Sequence, residues 1–189
     1  MREDSDAAIV LDYLPHGRAD DDRPQYRTNP VAYALDADRF RLLAVEFEDD
    51  VGLSIGETLA VDPPAEGATR LREVEYGELS GGAQSELEYV VEELVTDERA
   101  DRFVTFYQEA GPITLRLHQL DLLPGIGETL RNAITDARER EPFAEFEDVE
   151  ARVDGLHDPA GKVVERIMAE IREPDEQKYH LFARERAEE

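Results

Sequence analysis

The chain has 189 residues, with 46 Asp and Glu against 21 Lys and Arg, a net charge of −25 and no Cys. That length and an ordinary apolar content allow two small domains with packed cores, and the lack of Cys excludes a disulfide framework, a thiolate metal site and a thiol nucleophile. No apolar run approaches the ~18 residues of a membrane span and no basic-then-apolar start marks a signal peptide, so the expectation is a soluble, cytoplasmic protein without a membrane partner.

Residues 1–6 are polar. Ala7 to Leu14 reads as a strand closed by Pro15-His16-Gly17. Residues 18–30 are rich in Asp, Arg and Pro and read as a long mobile loop. Two more strands, Val31 to Leu35 and Phe40 to Phe47, flank the turn Asp36-Ala37-Asp38. Glu57 to Val61 and Thr69 to Tyr76 complete the set. Five short strands within residues 1–79 predict a small β-barrel, with an OB-fold-like barrel as the first choice and an SH3-like barrel as the second. Tyr33, Phe40, Phe47 and Tyr76 are either core or stacking platforms for single-stranded bases. Arg39 and Arg41, on either side of Phe40, and Arg70 and Arg72, on either side of Leu71, are secondary candidates for tracking a phosphate backbone.

From Ser80 the apolar period changes from two to about 3.6. Ala83, Leu87, Val90, Val91, Leu94 and Val95 mark a helix that Ser80 or Ser85 would cap, and a second helix covers 98–109 before Gly111-Pro112 breaks it. Ile113, Leu117 and Leu120 then recur at helical spacing, and so do Ile126, Leu130, Ala133, Ile134 and Ala137. Between them stands Leu123-Pro124-Gly125-Ile126-Gly127. Helix, tight hairpin, helix is the local prediction. Glu141-Pro142 ends the later helix, and Phe143, Phe146, Val149 and Val153 begin another. After Gly155, Asp158 reads as N-cap and Pro159 as the first residue of a helix through Ile171. Residues 113–172 therefore hold two helix-hairpin-helix units about 30 residues apart, the second with a degenerate hairpin, related by pseudo-two-fold symmetry. Linking helices at 83–109, a closing segment at 178–182 and a charged tail at 183–189 complete an α+β chain: barrel first, all-α domain over 80–182 second.

The first hairpin predicts chemistry. Gly125 and Gly127 leave no Cβ in a ligand's way, and the amides of Ile126, Gly127 and Glu128 would stand unpaired at a helix start, which is an anion site. Arg131, one turn on, can add a charge-assisted phosphate contact or pair with an acid such as Glu128. Arg116 and His118 precede the hairpin off its apolar face; His118 can reach phosphate or serve as a structural histidine. Gly155 and Lys162 are secondary candidates for a second phosphate or for a simple cap. No catalytic residue is assigned: His16, His118, His157 and His180 are scattered without metal-ligand spacing, and no nucleophile elbow, phosphate-binding GK[ST] loop or dinucleotide fingerprint occurs. No metal or cofactor is expected.

The acidity is spread over the whole chain, and only Lys162 and Lys178 are lysines. Such a composition resembles proteins of extreme halophiles. At about 1 M salt the Debye length falls to roughly 3 Å, so the net charge does not forbid phosphate binding through short-range contacts.

The run Arg116-Leu117-His118-Gln119-Leu120 into Leu122-Leu123-Pro124-Gly125-Ile126-Gly127, followed by Pro142-Phe143, Phe146-Glu147-Asp148-Val149, Arg152-Val153, Arg166-Ile167 and Lys178-Tyr179-His180-Leu181-Phe182, resembles the archaeal DUF655 family over roughly residues 8–182. The resemblance implies a nucleic-acid-binding protein with an OB-like domain and helix-hairpin-helix units. It also implies a place near ribosome assembly, since family members tend to lie beside genes for ribosomal components and a ribosomal-RNA adenine dimethyltransferase. It carries no enzymatic activity. The expected function is non-catalytic nucleic-acid binding, RNA ahead of DNA. The alternatives are an adaptor docking a basic partner such as a ribosomal protein, and a DNA-binding protein.

Overall fold

A computed structural model describes residues 6–18, 22, 24 and 28–183. The loop expected at 18–30 and the tail expected at 183–189 lie largely outside these residues. The chain is α+β and divides into two compact units: residues up to Val90 together with Ile171 onward, and Val91–Glu170.

The first unit holds β1 (Asp6–Leu14), β2 (Val31–Asp36), β3 (Leu42–Phe47), β4 (Thr58–Asp62) and β5 (Ala68–Glu73). They form one sheet in the order β4-β1-β2-β3-β5, every neighbouring pair antiparallel. All six residues of β2 are buried, so both faces of the sheet centre are covered. Val10, Ala32, Val45, Phe47 and Leu59 form one core cluster against which Ala68 packs, so all five strands contribute to a single inner face. A flat five-strand sheet would hold its edges about 19 Å apart. Here residues 63–67 alone join the two edge strands, and they are themselves folded: Ala65 N–H donates to Ala60 O (3.0 Å), Ala68 N–H to Ala65 O (3.1 Å) and Glu48 N–H to Gly67 O (3.1 Å). The sheet must curl into a half-barrel to meet so short a link.

The five strands stand close to their predicted places, with two shifts. β5 ends at Glu73, and Tyr76, expected in that strand, opens a 3₁₀ turn over Tyr76–Glu78. Phe40 belongs to a turn, with φ of 54°, and β3 starts only at Leu42. The cause is Asp36, which is buried and accepts Asp38 N–H (2.9 Å), Arg39 N–H (3.1 Å) and the Arg41 guanidinium (2.8 Å). Such an Asp-centred turn competes with strand continuation. At the other end of the unit, Ser80 rather than Ser85 caps α1 (Gly81–Glu93): Ala83 N–H donates to Ser80 Oγ (3.1 Å), whose hydroxyl donates to Asp12 Oδ2 on β1 (2.5 Å). Arg172, in the same unit, pairs with Glu88 (3.1 Å) and lies over the Tyr76 ring.

The second unit continues from α1 through a wide turn at Leu94–Glu98 into α2 (Ala100–Glu109), then α3 (Glu128–Arg140), α4 (Phe146–Arg152) and α5 (Pro159–Arg172), whose last two residues belong to the first unit. Leu94, Phe103, Tyr107, Leu120, Ile134, Val149, Leu156 and Ile167 are buried at its centre. The buried Tyr107 hydroxyl donates to Pro159 O (2.7 Å), and the Arg138 guanidinium donates to Tyr107 O (3.1 Å). Arg152 finishes α3 from α4: its guanidinium donates to Ala137 O and Glu141 O, both at 2.8 Å, pairs with Asp148 (3.1 Å) and lies over the Phe143 ring. It thereby adds a second donor to Ala137 O, which also accepts Glu141 N–H (3.3 Å), and supplies one to Glu141 O just past the helix end.

One helical expectation fails. Residues 113–118 are not helical; only Gln119–Leu122 forms a short 3₁₀ helix ahead of the hairpin. Thr114 is the reason. Its Oγ1 accepts Arg116 N–H (3.3 Å) and Leu117 N–H (3.1 Å), while Ile113 N–H donates to Leu117 O (2.7 Å), closing a tight loop in place of a helical turn. No helix among the described residues is long and apolar enough to cross a membrane.

Candidate functional site

The stretch Leu123–Gly127 is a tight turn held by Ile126 N–H donating to Leu123 O (3.3 Å). Leu123 and Ile126 are buried and pin it to the core, while Gly125 and Gly127 are exposed. Gly125 takes φ of +74°, which explains a glycine there. Gly127 differs. It is the N-cap of α3 with φ of −106° and ψ of −168°, no side chain caps the helix, and a Cβ built on it would meet nothing within 4 Å. Neither conformation nor packing requires glycine at 127.

The same turn recurs thirty residues on. Val153 and Leu156 are buried, Gly155 takes φ of +85°, and Leu156 N–H donates to Val153 O (3.2 Å). Its helix start is filled, however. The Asp158 carboxylate accepts Gly161 N–H (2.9 Å) and occupies the first turn of α5. The two turns share a backbone, but the second reaches its helix one residue later, at an Asp158 with φ of 48°, and its carboxylate faces the α5 amides where no side chain caps α3.

The predicted site residues sort accordingly. Gly125, Gly127 and Glu128 lie together at the exposed first hairpin. The Ile126 amide does not face outward as expected, because it closes the turn. Lys162 does not serve the second hairpin. Its Nζ donates to Pro124 O (3.1 Å) and would lie 3.1 Å from a Cβ at Gly125, so α5 places this lysine on the first hairpin. Arg166, one turn further along α5, pairs with the buried Glu170 (2.9 Å) and reaches Leu122 O (3.5 Å) on the same hairpin. Gly155 packs beside Leu130, with 3.6 Å to a built Cβ.

Arg131 pairs with Asp121 (2.8 Å) instead of Glu128. Asp121 also accepts His118 N–H (2.8 Å), and His118 Nδ1 accepts Leu120 N–H (3.1 Å), so His118 and Asp121 form a reciprocal cap on the 3₁₀ helix. Burial, then the nearby Arg138 charge, holds the His118 imidazole below its ordinary pKa despite Asp121. A neutral imidazole with Nδ1 committed to a backbone amide is a structural histidine. Arg116 is exposed at the loop that leads into this helix.

In the first unit the secondary candidates divide. Arg41 is held by Asp36 (2.8 Å) and Arg72 by Glu78 (3.0 Å), whereas Arg39 and Arg70 are exposed. Tyr33, Phe40 and Phe47 are buried core residues, and Tyr76 is half-buried beneath Arg172, so the first three are no stacking platform. Among the described residues no group of three or more His, Asp or Glu side chains could hold a metal ion.

Sequence reasoning missed Lys162's place, because a contact across 38 residues leaves no periodic trace, and it missed Asp121 and Arg152, each of which serves backbone groups as well as a side-chain partner. The spacing of Asp158 from Gly161 was the available sign that the second helix start is self-capped.

Comparison with known proteins gives the family. The chain is 35% identical over 179 residues to the uncharacterized protein MJ0038 of Methanocaldococcus jannaschii, covering 94% of this chain and 79% of that one. The crystal structure of Af1531 from Archaeoglobus fulgidus, described as family-model DUF655, is similar with a TM-score of 0.84 at 34% identity, over 95% of this chain and 99% of that one. The family model for a protein of unknown function, DUF655, matches residues 4–184, and the chain belongs to that family.

Proposed function

We propose that the chain is a non-catalytic nucleic-acid-binding protein, RNA ahead of DNA, that grips the sugar-phosphate backbone at its first hairpin. The observation that carries this reading is Gly127. Gly127 has ordinary backbone angles and open space around its Cβ, so beyond its tolerance as an N-cap the fold gives no reason for glycine there. An approaching phosphate supplies one, since the amides at the start of α3 then bind it at close range. Lys162 adds a cation on the same turn, in a chain with only two lysines. The repeated turn supports a helix-hairpin-helix reading, with a 3₁₀ turn standing for the first helix. Strand order β4-β1-β2-β3 is that of a Greek key and favours an OB-like over an SH3-like description of the sheet. The acidic surface fits a cytoplasm of molar salt, where long-range repulsion from phosphate is screened.

The test is fluorescence anisotropy in about 2 M KCl with ribosomal-RNA fragments, single-stranded RNA and duplex DNA. The parent binds RNA, and Gly127→Asp, which gives α3 a capping carboxylate as Asp158 gives α5, weakens binding about tenfold or more. Equal binding by the folded variant overturns the reading. Failure of the parent to bind any nucleic acid favours the second reading, docking of a basic protein, which rests on the net charge of −25.

A further inference from the structure

The loop between α2 and the first hairpin is built more firmly than a connection requires. Gly111 and Gln119 close it from both sides: Gln119 N–H donates to Gly111 O (2.9 Å) and Gly111 N–H to Gln119 Oε1 (2.8 Å). Pro112 and His118 pair as a β-bridge inside that clamp, and the Ile113–Leu117 turn with its Thr114 bonds closes the tip. At the tip stand Leu115, 106% exposed, and Arg116, also exposed. Thr114 Oγ1 is committed to two backbone amides, so the tip side chains that face outward are one aliphatic group and one guanidinium.

We propose that Leu115 is an apolar wedge that inserts at an unstacked base step of a bound RNA, with Arg116 anchoring the flanking phosphate. This rests on the hairpin reading and extends it from the backbone to the bases. Three features select nucleic acid as the occupant. The loop runs through Gln119–Leu122 directly into the hairpin turn, so wedge and amides are carried on one continuous segment. Its neighbour is a cation in a chain of strongly negative charge. And the tip offers no side-chain acceptor, which suits entry between bases and not readout of base edges; aliphatic wedges of this kind open base steps in other nucleic-acid complexes. The preferred RNA is one with a bulge or a single-strand junction, where the step is already partly unstacked.

Leu115 is free of the core, so Leu115→Ala leaves folding unchanged, checked by circular dichroism and thermal melting. Anisotropy with an RNA hairpin carrying a one-nucleotide bulge shows Leu115→Ala weakened about five- to tenfold, in the range of one stacked contact, with no change on the fully paired hairpin. Leu115→Phe retains binding. A 2-aminopurine placed beside the bulge brightens on binding the parent and stays quenched with Leu115→Ala. If Leu115→Ala binds and brightens the bulged RNA like the parent while Gly127→Asp fails to bind, the wedge is wrong and the hairpin reading stands. If the parent binds neither RNA hairpin, the wedge falls, and if it also fails on single-stranded RNA and duplex DNA, the hairpin reading falls with it.

Discussion

Lys162 Nζ lies 3.1 Å from the carbonyl oxygen of Pro124, a contact between residues 38 apart in sequence. It fixes the cation of the candidate site on α5 while the amides belong to α3. Lys162→Ala is therefore expected to lower RNA affinity about fivefold and to flatten the slope of log K against log salt by about 0.7–0.9, the share of one phosphate contact. The accompanying loss of stability is about 1 kcal/mol, for one hydrogen bond at a half-buried position. A salt titration of parent and variant checks both numbers.

Gly127→Asp should move stability and binding in opposite directions. Residue 127 already has the extended angles of an N-cap, and Asp is a better N-cap than Gly by a few tenths of a kcal/mol. Denaturation would show the variant at least as stable as the parent while anisotropy shows it defective. The second hairpin gives the converse. Asp158→Ala removes the carboxylate from Gly161 N–H and leaves an alanine at φ of 48°, costing about 1–2 kcal/mol, whereas Asp158→Asn keeps both the cap and the tolerance of that angle and costs little.

Arg152 is expected to be among the costliest single truncations in the second unit. Arg152→Ala strips donors from Ala137 O and Glu141 O and a partner from Asp148, for a loss of about 2–3 kcal/mol in chemical denaturation. Arg152→Lys keeps the charge but not the fork, and recovers only part of the loss.

The turn before the hairpin should loosen in acid. His118 has a folded pKa below its ordinary value, chiefly from burial, so the folded chain binds this proton less readily than the unfolded chain. Its contribution to stability is complete above about pH 6.5 and is lost as pH falls from there through the folded value. Nitrogen NMR should find Nδ1 unprotonated near neutrality, with the Leu120 amide protected from exchange, and that protection should fall in the same pH window.

Much of the architecture was legible. Alternating Val, Ala, Leu and Tyr residues located all five strands, and Ser80, Asp158 and Pro159 marked helix starts that the structure contains. The repeat of the hairpin was visible in Gly125 and Gly155. The helix expected over 113–120 was not there, because Ile113, Leu117 and Leu120 satisfy a helical period while Thr114 spends its hydroxyl on the local backbone, a competition that periodicity does not register. Aromatic residues in the sheet could not be divided into core and surface, since β2 is buried on both faces and alternation loses its meaning there. The pairing of Arg41 with Asp36 and of Lys162 with Pro124 depends on tertiary approach, for which a single chain gives no pattern.

The five residues between β4 and β5 act as a strap across the mouth of the half-barrel. They join the two edge strands, which the sheet order leaves without a neighbour on their outer sides. Cleavage near Gly67 would release both edges together, and their already unpaired rows of backbone donors and acceptors would be freer to pair with other chains. This small link, remote from the hairpin in sequence, is thus a place where one nick is expected to raise aggregation, which light scattering after limited proteolysis would register.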